Sequence, residues 1–195
     1  MTQMKLYDIT RELMTAPVYP GDPSPRMTRL SDMALGDAYT ASQITLCLHN
    51  GTHADAPCHF FPDADDVTAI PLEQAIGECT VAAFDGVLLG DEAERLMRRV
   101  GAVERLLFKG TATLSQSAAF VLADAGVRVI GVEGNSVAPV AETAVVHRAL
   151  LSEHILLLEN LDLSAVEEGR YFLFAAPLKI AGADGAPVRA VLVER

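Results

Sequence analysis

The sequence predicts a mixed α/β fold, and three observations carry that prediction. The N-terminal third reads as short strands and loops. Between Ser115 and Leu158, stretches with helical spacing alternate with short apolar runs. From Tyr171 to Val193 the pattern is strand-like again. A mixed sheet with helices packed on it accommodates this order better than a cleanly repeated βαβ chain.

Taken in order, Lys5–Ile9 alternates weakly and reads as a strand. Pro17 to Pro25 holds four prolines and a glycine, so it must be an extended loop or turn. Ile44–His49 alternates with period two, as a half-buried strand does. Ile70–Gly77 suits a single helical turn closed by Gly77, and Thr80–Phe84 a strand. Glu92–Val100 has helical spacing with Gly101 as its stop, and Arg105–Lys109 is a strand. Ser115–Ala125 is a helix ending at Gly126, followed by a buried strand at Val127–Val132. Glu142–Ser152 is a further helix, followed by a strand at Ile155–Leu158. Strands at Tyr171–Phe174, Leu178–Ile180 and Val188–Val193 close the chain, the last two joined by a turn at Gly182–Gly185.

A chain of 195 residues suits one domain spanning 1–195, and 50% hydrophobic with 21% charged residues is enough for a sizeable core. The formal net charge is −11, which argues against duplex nucleic acid or an anionic membrane as partner. There is neither an apolar run long enough to span a bilayer nor a signal-peptide pattern at the start, so a cytoplasmic protein is expected. Cys47, Cys58 and Cys79 match no metal or redox spacing and read as small reduced core residues. Cys58 is expected to line the site described next without acting as a ligand.

Three of the five histidines fall in one short segment, His49-Asn-Gly-Thr-His53-Ala-Asp55-Ala-Pro-Cys-His59. All four candidate donors occupy odd positions, which share one side of an extended chain. Gly51 and Pro57 argue against a helix. A strand ending at His49 and a turn at Asn50-Gly51 would let the following loop bring His53, Asp55 and His59 around one point. Neutral imidazole with carboxylate is a donor set for a divalent ion such as zinc, with manganese also acceptable. Such an ion lowers the pKa of bound water to about 7, and a carboxylate such as Asp55 can bridge two ions. No phosphate loop, nucleophile elbow or dinucleotide fingerprint competes with this reading.

The pattern His49-x-Gly51-Thr52-His53-x-Asp55-x-Pro57-x-His59 resembles the signature of the cyclase family of metal-dependent hydrolases. Bacterial kynurenine formamidases are its best-known members, and isatin hydrolases are relatives. Tyr19-Pro-Gly-Asp22, Ile70-Pro-Leu-Glu73, Ser136-Val137 and Pro177-Leu-Lys-Ile-Ala-Gly182 with Pro187-Val-Arg-Ala190 extend the resemblance over nearly the whole chain. It implies a swivelling β/β/α fold, a homodimer or homotetramer, and a small-molecule amide such as an aryl formamide as substrate. It further implies two divalent ions, zinc or manganese. His49, His53 and Asp55 would hold the first, and Asp55, His147 and Glu159 the second. His59 would be the general acid/base, and Tyr19 would line the substrate pocket, within its own subunit or across an interface. The connection after Phe108 is short, and Val132-Glu-Gly-Asn135 lacks the aspartate associated with kynurenine formamidases. Both departures bear on the substrate, and hydrolysis of a different cyclic amide or ester, or metal binding without catalysis, are the alternatives.

Overall fold

In the computed structural model of the chain, residues 4–194 are described. The path starts with β1 (Lys5–Asp8), crosses the proline-rich loop and forms a ribbon of β2 (Arg26–Ser31) and β3 (Ala41–Thr45). Next come the three-residue β4 (His53–Asp55) and the one-turn helix α1 (Leu72–Ala75). The middle of the chain is β5 (Ile76–Ala83), β6 (Val87–Leu88), α2 (Gly90–Val100), β7 (Arg105–Lys109), β8 (Thr113–Leu114), α3 (Gln116–Asp124), β9 (Val129–Val132), α4 (Thr143–Leu151) and β10 (Leu156–Glu159). It ends with β11 (Gly169–Phe174), β12 (Gly185–Pro187) and β13 (Val191–Glu194).

The main sheet has the order β1-β13-β11-β5-β7-β9-β10-β4-β12. Its centre, β5-β7-β9-β10, is parallel, because each successive pair is joined through one of the helices α2, α3 and α4. Both flanks are antiparallel. Side chains alternate across the central strands. Leu106, Phe108, Ile130, Val132 and Leu157 pack with Ala93, Leu96, Ala118, Leu122, Val146 and Leu150 of the three helices. Leu107, Val129, Leu156 and Leu158 face the other way, into a core with Val81, Leu173 and Leu192. The three longer helices α2, α3 and α4 therefore lie on one face, while Ala75 of α1 packs into the core on the other, and the mixed α/β prediction holds.

Several local expectations change. The strand read at Ile44–His49 ends at Thr45, because the Asn50 side-chain oxygen accepts the Cys47 N–H (2.9 Å) and turns the chain. Its partner β2, and the short β6 and β8, have too little patterning to be read from sequence. Gly77 does not close the helical turn at 72–75. It is already in β5, where its missing side chain admits the Arg105 guanidinium: a Cβ there would lie 2.6 Å from Cζ. Leu178–Ile180 is not a strand, since only an isolated Pro177–Val188 bridge forms. The turn at 182–185 instead leads into β12, which pairs with β4.

Candidate metal centre

The register of three strands builds the site. Glu159 on β10 is directly opposite His53 on β4, which is opposite Pro187 on β12. Two residues along, Leu157, Asp55 and Gly185 form the next row. Directly paired residues share a face, and Leu157 belongs to the helix-side core. The side chains of Glu159, His53 and Asp55 therefore all project toward α4, which supplies His147. The alternation read from the motif is right for His53 and Asp55, although they lie in a buried strand and not in a loop.

His49 precedes β4, and Gly51 makes the connecting turn with φ 64°, a conformation that favours glycine. The turn is held from outside: Thr52 Oγ1 accepts the Arg11 N–H (2.9 Å) and donates to the Asn160 carbonyl. Asn160 follows Glu159 in the left-handed region (φ 57°), and its N–H donates to the Gly134 carbonyl (2.7 Å). Glu159 is the last residue of β10 rather than the first beyond it, and its Oε1 accepts the Val137 N–H (2.7 Å).

Asp55 Oδ1 lies 2.9 Å from His49 Nδ1 and 3.3 Å from His53 Nε2, while Oδ2 lies 3.6 Å from His147 Nε2. Glu159 Oε1 is 3.2 Å from His147 Nε2, and Oε2 is 3.4 Å from His53 Nε2. Donors bonded at about 2.0–2.1 Å in a tetrahedron lie roughly 3.3 Å apart, so these spacings suit atoms converging on a cation. His53, Asp55, His147 and Glu159 are all buried. Two of the converging atoms, His53 Nε2 and Asp55 Oδ2, are buried without any hydrogen bond. Unsatisfied polar atoms are costly inside a protein, and a bound ion would satisfy both.

The opposite ring nitrogens point the same way. His53 Nδ1 donates to the Gly51 carbonyl (2.9 Å), and His147 Nδ1 donates to the Thr143 carbonyl (2.8 Å). A neutral imidazole so anchored presents a bare Nε2 to the centre, as metal-binding histidines do. Without a cation the protons fill the gap. Burial opposes charge on His53, but the adjoining Asp55 and Glu159 carboxylates outweigh it and raise its pKa to about 10. Burial also opposes ionisation of Asp55, yet His49 and His53 hold its carboxyl well below the usual range. Among the described residues donor triplets form in two groups, His49 with Asp55 and His59, and His53 with Asp55 and Glu159. His59 thus lies close enough to count as a donor as well as a wall.

Beside the centre is a cavity of about 380 Å³, lined by Tyr19, Asp22, Cys47, His49, His59, Phe60, Thr143, His147, Glu159 and Asp184 among others. Tyr19 reaches across it, its hydroxyl 3.4 Å from Thr143 Oγ1. Phe60 packs on His147 (ring centroids 4.8 Å) and edge-on to His59 (4.5 Å). All seven residues singled out in the sequence therefore meet around this cavity or its floor. The expectation for Cys58 is wrong: its thiol donates to the Ala183 carbonyl (3.6 Å), and the cysteine on the cavity wall is Cys47. Asp184 is the residue sequence reasoning missed. Its Oδ2 lies 3.2 Å from His49 Nε2 and 3.6 Å from His59 Nδ1, but Gly182-Ala-Asp-Gly185 reads as an ordinary turn.

Comparison with known proteins gives the family. The family model described as "Putative cyclase" matches residues 7–139. A kynurenine formamidase of Salinibacter ruber is 35% identical over 206 aligned residues, covering 97% of each chain. One from Erythrobacter litoralis is 32% identical, covering 99% of this chain and 95% of that one. A solved structure from Bacillus stearothermophilus, described as a predicted metal-dependent hydrolase, superposes with a TM-score of 0.85 at 30% identity and full coverage of both chains. With the family model matching well over half of the chain, and relatives and structural likeness extending over nearly all of it, the chain belongs to the cyclase family.

Proposed function

We propose that the chain is a metal-dependent amide hydrolase of the kynurenine formamidase kind, cleaving an aryl formamide to formate and an arylamine. The observation that carries this reading is the convergence of His53 Nε2 and Asp55 Oδ2, both buried and unsatisfied, beside a cavity large enough for an aromatic substrate. His49, His53 and Asp55 would hold one divalent ion, and Asp55, His147 and Glu159 a second. The two oxygens of Asp55 already face different histidines, which is what bridging requires. A bound zinc or manganese ion supplies a Lewis acid for the amide carbonyl and lowers the pKa of water.

The chain's own groups do the rest. His59 is partly buried on the cavity wall, and that burial holds its pKa below the ordinary histidine value, against the pull of Asp55. It is therefore neutral near pH 7 and able to accept the proton of the attacking water. The same proton then goes to the departing nitrogen as the C–N bond breaks. An arylamine leaves more readily than an alkylamine, and Phe60 with Tyr19 offers rings for the aryl group to pack against.

The β2–β3 ribbon supports the expectation of a homo-oligomer. Among the described residues it pairs only with itself, and Met27, Leu30, Met33, Leu35, Tyr39 and Ile44 on it and its connecting turn are exposed. An isolated two-stranded ribbon is marginal in water, so a second copy packing on it is the simplest cover. The three cysteines are free thiols, as suits a reducing cytoplasm. Among the described residues no helix is long and apolar enough to cross a membrane.

The test is metal content per chain after purification without chelator, followed by assay of N-formylkynurenine and isatin side by side. About two equivalents of metal and faster turnover of the formamide are expected. Faster turnover of isatin would move the substrate to a cyclic amide, and failure to take up zinc or manganese would overturn the hydrolase reading.

A further inference from the structure

His49 is the one candidate ligand whose far ring nitrogen meets neither of the backbone carbonyls that anchor His53 and His147. Its Nε2 lies 3.2 Å from Asp184 Oδ2, and its Nδ1 faces Asp55. The residue after Asp184 is equally specific. A Cβ built on Gly185 would lie 2.7 Å from His49 Cε1 and 3.2 Å from Nδ1, so the imidazole rests on bare backbone. Gly185 has no left-handed φ to explain its identity. It is the residue of β12 paired with Asp55, which puts it on the metal-facing side of the sheet. The Asp184 backbone carbonyl is itself fixed by the Ala56 N–H (2.9 Å), tying this corner to the segment just after β4.

We propose that Asp184-Gly185, at the start of the edge strand β12, is the positioning device for His49. Asp184 accepts the Nε2 proton and fixes the tautomer that leaves Nδ1 as the metal donor. Gly185 leaves the space in which the ring lies. The inference rests on the metal-dependent reading above and adds a residue pair to it. Asp184 also faces His59 Nδ1 at 3.6 Å, so one carboxylate sits behind both the ligand and the group assigned to proton transfer. An outer carboxylate on a ligand histidine raises its basicity and holds its ring orientation, and loss of such a partner typically weakens metal binding about 10–100-fold.

The test uses the full chain, stripped of metal and titrated with zinc against a chromophoric chelator, and with Co(II) read by its visible absorption. Asp184→Ala should weaken one of the bound ions about 10–100-fold and change the cobalt spectrum. Asp184→Asn, whose Oδ1 still accepts from Nε2, should restore most of the affinity. Gly185→Ala should weaken the same ion, by displacing the ring. The metal-free Tm of Asp184→Ala should stay near the parent value, since the Asp184 side chain is about half exposed. A parent chain that binds metal while Asp184→Ala binds it equally tightly overturns this inference alone. Asp184→Asn as weak as Asp184→Ala overturns the hydrogen-bond assignment. A parent that takes up no metal overturns the hydrolase reading, and this inference with it.

Discussion

The residues of the centre divide by what each would lose. His53 is fully enclosed and aims an unsatisfied Nε2 at two carboxylates, so that nitrogen has no evident use except to hold a cation or a proton. His53→Ala should lose metal and turnover together. His59 lines the cavity and is partly exposed, and His59→Ala should keep the metal while kcat falls about 10²–10⁴-fold, the range of a lost general acid/base. Metal analysis and steady-state kinetics on the two variants separate the roles. Loss of metal from His59→Ala would make it a ligand, a role its grouping with His49 and Asp55 permits. These residues were legible in sequence because His49 to His59 carries four donors on a ten-residue spacing that few structural roles need. His147 and Glu159 were legible only through resemblance, since a histidine in a helix and a carboxylate at a strand end are commonplace alone. Asp184 had no pattern at all: its meaning comes from β12 pairing with β4, a contact across well over a hundred residues.

At the scale of elements, strongly patterned segments were legible and weakly patterned ones were not. The helices α2, α3 and α4 and the central strands lie within a few residues of their expected places, because apolar spacing and stop signals such as Gly101 (φ 77°) act locally. β4 and β12 are three residues long and owe their existence to the sheet edge they extend, not to propensity. Gly77 shows the same limit. It looks like a helix stop but serves Arg105, a buried side chain that donates to the carbonyls of Gln74 (2.8 Å), Glu78 (3.2 Å) and Glu73. This arginine staples α1 and the start of β5 to β7. Arg105→Met would leave those carbonyls without their donor, at a cost of about 1–3 kcal/mol per group stranded from water. A loss of about 3 kcal/mol in all corresponds to a fall in Tm of roughly 6–12 °C for a chain of this size. Thermal unfolding checks it, and an unchanged Tm would mean that water replaces the guanidinium.

Over the whole molecule, the buried centre links folding, protons and metal. In metal-free protein His53 has its pKa raised to about 10, against 6.5 as the unperturbed value, and His49 and His147 are raised in the same direction: burial opposes their charge, but the neighbouring carboxylates prevail. A raised histidine contributes stability that is complete below about pH 6.5 and is lost as pH climbs through the folded-state value. Asp55 and Glu159 are lowered, so their contribution is present above the usual carboxylate range and is lost in acid. His59, lowered by its burial, acts in the opposite sense to the other histidines, but only below its unperturbed value. The metal-free chain should therefore be most stable between roughly pH 5 and 6.5. Its Tm should fall steadily toward pH 10, by roughly 2–4 °C for each kcal/mol lost. Metal binding needs the same imidazoles neutral, so it releases protons and strengthens with pH. The rise in Tm on adding zinc should accordingly be larger at pH 8.5 than at pH 6, the bound ion stabilising the folded state most where the protons no longer do. Thermal scans with and without zinc across that range measure both trends. A metal-free Tm that stays level or climbs between pH 6.5 and 9.5 would show that the site does not hold protons in place of a cation.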